Sequence, residues 1–161
     1  MEGDGDPLPL QGAAHDQDVV PAMQIVIDTN VLVAGLRSNR GSSYRLLDLV
    51  GTGRFEINLS VPLVLEYEDV LIRELPSLYV ERKVVDEIID YHCRVARHHR
   101  IYFLWRPGLP DPKDEMLLEL AVKARCDFIV TYNKKDFRGS ERFGIKVVDP
   151  GEFLRQIGEL R

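Results

Sequence analysis

The chain predicts an α/β fold built on a parallel sheet with helices on both faces. Short apolar, β-favouring runs at residues 24–28, 55–59 and 127–131 alternate with stretches of helical periodicity. Such alternation is the pattern of a parallel sheet. The first run, Ile25-Val26-Ile27, stops abruptly on Asp28, and the third stops on Thr131. Open α/β folds place ligand sites at the carboxyl edge of the strands, so an acid there is a candidate functional group.

Composition bounds the reading. With 161 residues, 45% hydrophobic and 29% charged, the chain suits one globular domain with a real core. No apolar run is long enough to span a bilayer, and no basic n-region precedes an apolar segment as in a signal peptide. The expectation is a cytoplasmic protein without a membrane partner. Cys93 and Cys126 lack CxxC spacing and read as reduced core or boundary residues, not zinc ligands. A net charge of −5 argues against electrostatic coating of nucleic acid, but not against an enzyme that gathers acids in a metal cleft. Basic residues cluster at Arg94, Arg97, His98, His99 and Arg100, and at Lys134, Lys135, Arg138 and Arg142. The plainer reading of both clusters is a solvated helix end or loop.

Residues 1–22, rich in Gly, Pro, Asp and Gln and without periodicity, are expected to form a disordered N-terminal extension, with the domain covering 23–161. Met23, directly before the first strand, reads as the original start. The elements then follow in order. A strand at 24–28 leads to a short helix or turn at 31–36. Gly41 and Ser42 open a helix that runs to Val50 and is closed by Gly51 and Gly53. A strand at 55–59 leads to a helix from Ser60, its cap, with Pro62 in its first turn, to Leu71. Pro76 breaks the chain. A long amphipathic helix is expected over 80–98 and a strand over 101–104. A helix from Asp111 to Arg125, strands at 127–131 and 146–148, and a helix from Pro150 to Leu160 complete the pattern.

Four positions bring polar groups to the expected carboxyl edge. Asp28 is the first; it also reads as a helix cap, a role that Asn30 could take instead. Glu66 falls at the margin of the apolar arc formed by Val61, Leu63, Val64, Leu65, Tyr67, Val70 and Leu71, where it can face a cleft or the solvent; Glu68 falls inside that arc. In Asp111-Pro-Lys-Asp114-Glu115, Asp111 is a natural N-cap, and Asp114 favours the helix dipole. Yet Asp114 shares a face with Leu117, Leu118, Ala121 and the stem of Arg125, and an inward acid is costly without a cation partner. Thr131 and Asn133 end the strand at 127–131; ordinary turn chemistry also suits them. Clustered carboxylates repel unless protonated or bridged by cations. Hard oxygen ligands of this kind suit Mg²⁺ or Mn²⁺.

Ile25-Val-Ile-Asp-Thr-Asn-Val-Leu-Val, Ser60…Glu66, Asp111-Pro-Lys-Asp-Glu…Leu-Glu-Leu-Ala and Ile129-Val-Thr-Tyr-Asn-Lys-Lys-Asp-Phe, in that order, resemble the PIN-domain nucleases over residues 23–157. The likeness is greatest to the bacterial, VapC-like toxin components of toxin–antitoxin pairs. The resemblance implies a three-layer α/β/α sandwich and a Mg²⁺- or Mn²⁺-dependent endoribonuclease. It implies Asp28, Glu66 and Asp114 as the catalytic, metal-binding acids, with Asp111 as a nearby extra. Asn133 stands where many members carry a fourth acid; it could ligate through its carbonyl or a water, and it leaves one or two metals open. Thr29, Asn30 and Thr131 match small polar positions that support the acids. The implied partners are an RNA substrate, a cognate antitoxin and a second copy of the chain in a homodimer. Rim loops at 37–43 and 105–113 would choose the target, with Trp105 and Tyr132 as possible stacking residues beside their commoner use in a core.

Two other readings stand beside this one. Asn133 and the acidic net charge also suit a degenerate domain that binds RNA or a protein without cutting it. A phosphotransfer role for Asp28 is weaker, because Asp28-Thr29-Asn30 lacks an Asp-x-Asp pair.

Overall fold

A computed structural model describes residues 22–101 and 112–160. All but the last residue of the expected N-terminal extension, together with Trp105, Asp111 and residues 102–104 of the expected strand, lie outside that range.

Strands β1 (Met23–Ile27), β2 (Phe55–Leu59), β3 (Arg97–His98), β4 (Phe128–Val130) and β5 (Lys146–Val148) form one five-stranded sheet in the order β3-β2-β1-β4-β5. Every pairing is parallel: Ile25 lies opposite Ile57 on one side and Phe128 on the other. Ile25, Val26 and Ile27 are all buried, as a strand covered on both faces requires. From β1 the chain moves outward to β2 and β3, then crosses back to β4 and β5. The order therefore reverses between β1 and β4, and the carboxyl ends of those two strands flank the switch point.

Helices α1 (Thr29–Arg37), α2 (Ser42–Leu49), α3 (Val61–Arg73), α4 (Arg82–Val95), α5 (Pro112–Lys123) and α6 (Pro150–Gln156) flank the sheet. Together they make the three-layer α/β/α sandwich. On one face Phe153 of α6 meets Phe55 and Phe128 edge-to-face, with ring centroids 5.3 Å apart in each pair. Val26 and Ile129 alternate to the opposite face, where α5 packs on β1, β2 and β4. Asp149 caps α6 in a capping box with Glu152, ahead of Pro150 at the first helical position. Gly51, which closes α2, has φ +85°, and a Cβ there would lie 2.1 Å from the Tyr91 hydroxyl oxygen. No helix among the described residues is long and apolar enough to cross a membrane. Cys126 is buried, Cys93 is half-buried, and both are free thiols.

Several boundaries differ from the sequence reading. α1 begins at Thr29, two residues early, because the Asp28 side chain caps it. The helix expected over 80–98 ends at Val95, and Arg97–His98 leaves it to pair with Asn58 and Leu59 as the edge strand β3. Arg125 lies beyond the end of α5 in a left-handed conformation (φ 54°) and is exposed, so its stem is not part of the inward face. The final helix stops at Gln156, ahead of Gly158 at φ +80°. On α3 the buried stripe is Leu63, Tyr67 and Leu71, spaced four apart. Val61 and Leu65 are exposed at 71% and 59%, and Glu68 is exposed as well. The apolar arc misled because only the stripe spaced four apart is buried, while Val61 and Leu65 point away from it.

Candidate functional site

Asp28 directly follows β1, and its N–H donates to the Val130 carbonyl of β4 at 2.9 Å, so the sheet itself fixes its backbone. Its side chain accepts two hydrogen bonds. Oδ1 takes the Thr29 N–H at 2.7 Å, and Oδ2 takes the Thr131 hydroxyl at 2.7 Å. The cap reading and the site reading of Asp28 are thus compatible. One oxygen starts α1 while the carboxylate remains at the switch point.

Thr131 is fully buried after β4 and organises the same corner. Its hydroxyl oxygen accepts from the Asn133 N–H at 3.0 Å and from Asn30 Nδ2 at 3.4 Å. Asn30 Oδ1 accepts the Tyr132 N–H at 3.4 Å, so Asn30 fastens the turn after β4 instead of capping α1. Glu66, on the second turn of α3, accepts from the Thr29 hydroxyl at Oε2 and lies 3.7 Å from Lys113 Nζ at Oε1. Thr29 therefore joins the two acids, with its N–H on Asp28 and its hydroxyl on Glu66. Below them the buried Tyr67 hydroxyl donates to the Ile27 carbonyl, tying α3 to the end of β1.

Asp28, Thr29, Asn30, Glu66, Asp114 and Asn133 line one open cleft of about 500 Å³. Its walls also include Arg37, Glu74, Lys113, Tyr132 and Asp136. Tyr132 is half exposed, with its hydroxyl 2.5 Å from Ser43 Oγ, and it is not a core residue. The basic clusters behave as surface structure: Arg97 pairs with Glu56 at 2.9 Å and Lys134 with Glu152 at 2.7 Å.

Burial pushes the Asp28 carboxyl above its ordinary pKa. The Thr131 and Thr29 donors pull it back, and the charges of Glu66 and Asp136 push it up again. The Tyr67 hydroxyl is raised well above its usual value by burial, with Asp28 and Glu66 adding to the effect. Asp136, in the short 3-10 turn Lys134–Phe137, was not singled out from the sequence. The available signal was its spacing of three after Asn133, which lets its N–H reach the Asn133 carbonyl at 3.0 Å and turns it back to the cleft. Lys113, Arg37 and Glu74 were also missed, since nothing local marks them.

The donors in the cleft are oxygens, with no His or Cys among the lining residues, which suits Mg²⁺ or Mn²⁺ rather than zinc. Among the described residues, no three His, Cys, Asp or Glu side chains converge closely enough to hold a metal ion. Mg²⁺ is commonly held by one or two carboxylates and several waters. Asp28, Glu66 and Asp114 supply the cleft with enough carboxylates for that lighter requirement.

No curated protein matches the chain. The PIN domain profile matches residues 24–135, which takes in β1, Asp28, Glu66, Asp114 and the turn after β4. PIN domains are typically nucleases that act on RNA with divalent metals. With more than half of its length matched in this way, the chain belongs to the PIN-domain family.

Proposed function

We propose that this protein is an endoribonuclease that hydrolyses RNA phosphodiester bonds with Mg²⁺ or Mn²⁺. The observation that carries the reading is Asp28. It is a half-buried carboxylate at the switch point, fixed by two donors and crowded by Glu66 and Asp136 in a cleft of oxygen ligands. Crowded carboxylates of this kind are relieved by a cation.

A bound ion would supply an activated water and stabilise negative charge at the phosphorus and leaving oxygen. Asp28 and Asp114 would hold it, and Glu66 with Asn133 would hold a second ion or orient the water. Thr29 and Thr131 keep Asp28 in one orientation, the outer-shell role that commonly sets ligand geometry. Arg37 and Lys113 on the cleft wall are suited to substrate phosphates. Asp111 would extend the acidic set.

The VapC-like likeness of the motifs supports a toxin role, with a cognate antitoxin covering the cleft, a homodimer as the assembly and the cytoplasm as the compartment. Residues 23–161 would form the nuclease unit, and 1–22 an extension outside it. A second reading, a non-catalytic PIN domain that binds RNA or a protein, is favoured by Asn133 and by the lack of a tight three-acid cluster among the described residues.

An RNA cleavage assay with Mn²⁺, Mg²⁺ and EDTA, run beside Asp28→Asn, separates the two. Metal-dependent cleavage that vanishes in the variant supports the nuclease. Cleavage by a folded, contaminant-free Asp28→Asn protein overturns the assignment. Absence of both cleavage and Mn²⁺ binding at millimolar metal favours the binding module.

A further inference from the structure

One aromatic ring stands beside the acids of the cleft. Tyr132 follows Thr131, whose hydroxyl holds Asp28, and precedes Asn133, whose N–H bonds to that same hydroxyl at 3.0 Å. Among the described residues, Tyr132 is the one aromatic that lines the cleft; the other exposed rings, Tyr44, Tyr79, Tyr91 and Phe143, lie elsewhere. Tyr132 remains 48% exposed, so its ring is not held by packing in the core. It is nonetheless fixed at both ends. Its N–H donates to Asn30 Oδ1 at 3.4 Å, and its hydroxyl lies 2.5 Å from the Oγ of Ser43, a buried residue in the first turn of α2. An exposed ring with a tethered tip gives up little further freedom when a ligand lies on it.

We propose that Tyr132 is a base platform: in the nuclease reading given above, on which this rests, the base of the nucleotide next to the cut phosphodiester lies flat on its ring. The position follows from connectivity. Thr131 ties this turn to Asp28, so a phosphate held at Asp28 leaves its attached nucleoside beside the residue that follows Thr131. The chemistry follows from the ring. Every base has a π-face, and stacking on an aromatic side chain adds affinity that needs no positive charge. That suits a cleft in which Asp28, Glu66, Asp114 and Asp136 repel the RNA backbone. Tyrosine supplies a large, rigid contact at low entropic cost, and the Ser43 bond sets its orientation before RNA arrives.

The test is fluorescence anisotropy of the full chain in Mn²⁺ with two short single-stranded probes, oligoadenylate RNA and the same sugar–phosphate backbone without bases. Binding is read before cleavage products show on a gel. Wild type should hold the base-bearing strand about tenfold tighter than the bare backbone, the scale of one stacked base. Tyr132→Leu should lose most of that difference while its affinity for the bare backbone stays the same. Tyr132→Phe, which keeps the ring, should retain the difference. Equal losses in Tyr132→Phe and Tyr132→Leu on both probes would mark the Ser43 bond as merely structural and overturn the proposal. If Tyr132→Leu does not fold, Tyr132→Met is held to the same outcome. RNA cleavage by wild type, with a preference for bases that folded Tyr132→Leu leaves untouched, overturns the platform alone. A base preference that Tyr132→Leu removes, in a wild type that cuts no RNA, supports the platform and overturns the nuclease reading. A wild type that neither binds nor cuts the base-bearing strand overturns both.

Discussion

The Thr131 hydroxyl donates to Oδ2 of Asp28 at 2.7 Å and joins the carboxyl ends of the neighbouring strands β1 and β4. Thr131 is fully buried, so this hydroxyl serves the chain's interior and not the solvent. It also lowers the pKa of a carboxyl that burial raises. Replacing it with the isosteric Thr131→Val should leave the fold intact and raise the Asp28 pKa further. Mn²⁺ affinity and RNA cleavage should fall by about 10–100-fold, the usual effect of losing an outer-shell partner. Thr131→Ser should recover most of the loss. Metal titration and cleavage rates across pH measure both effects.

Asp28 should destabilise the metal-free protein. Its pKa is raised in the fold, so its contribution to stability is present below the ordinary carboxylate range and is lost as pH rises through the raised value. In EDTA at neutral pH, Asp28→Asn should melt higher than wild type by about 2–4 °C, equivalent to about 1 kcal/mol for a chain of this size. Saturating Mn²⁺ should reverse the order, because only wild type gains from binding. Thermal melts with and without metal provide the comparison.

His92 should make the fold sensitive to acid. It is buried on α4, with Nδ1 donating to the Ile88 carbonyl at 2.9 Å and no partner at Nε2 among the described residues. Burial lowers its pKa below the ordinary 6.5, and the Ile88 bond only partly offsets this. Stability should be complete above that ordinary value and decline as pH falls below it, since the unfolded chain takes up the proton first. A His92→Leu variant should show a flatter dependence of denaturation midpoint on pH between 7 and 5 (about the range in which histidine titrates).

Asn133→Asp adds a carboxylate to the cleft. Mn²⁺ binding should tighten, while the metal-free protein should melt lower because a further like charge joins Asp28 and Glu66. Calorimetry would show the tighter binding, and a second bound ion would identify Asn133 as the residue that limits the site to one.

Local chemistry made much of the scaffold legible. Phe55–Leu59 and Lys146–Val148 were readable to the residue, because each is a β-favouring run between turn formers. Asp28 and Asp114 could be singled out because each stands next to a strand end or a helix start, whereas Glu66, on the second turn of its helix, was named through the family resemblance. Other features were set by distant parts of the chain. Arg97–His98 is a polar pair continuing a helical pattern, and it becomes a strand only because the edge of β2 offers Asn58 and Leu59. On a helical wheel Glu68 fell inside the apolar arc and Glu66 only at its margin; in the fold Tyr67 turns inward, Glu68 is exposed and Glu66 lies beside Thr29. The Lys113–Glu66 pair and the approach of Asp136 to Asp28 depend on loop paths that no periodicity encodes.

Anomalous scattering from crystals grown with Mn²⁺ tests most directly whether Asp28 anchors a catalytic metal. The expected result is a manganese peak within bonding distance of an Asp28 carboxylate oxygen, in the cleft shared with Glu66 and Asp114, that is absent from Asp28→Asn crystals. A fully occupied manganese elsewhere, or none in this cleft in a protein that cleaves RNA in an EDTA-sensitive way, would contradict it.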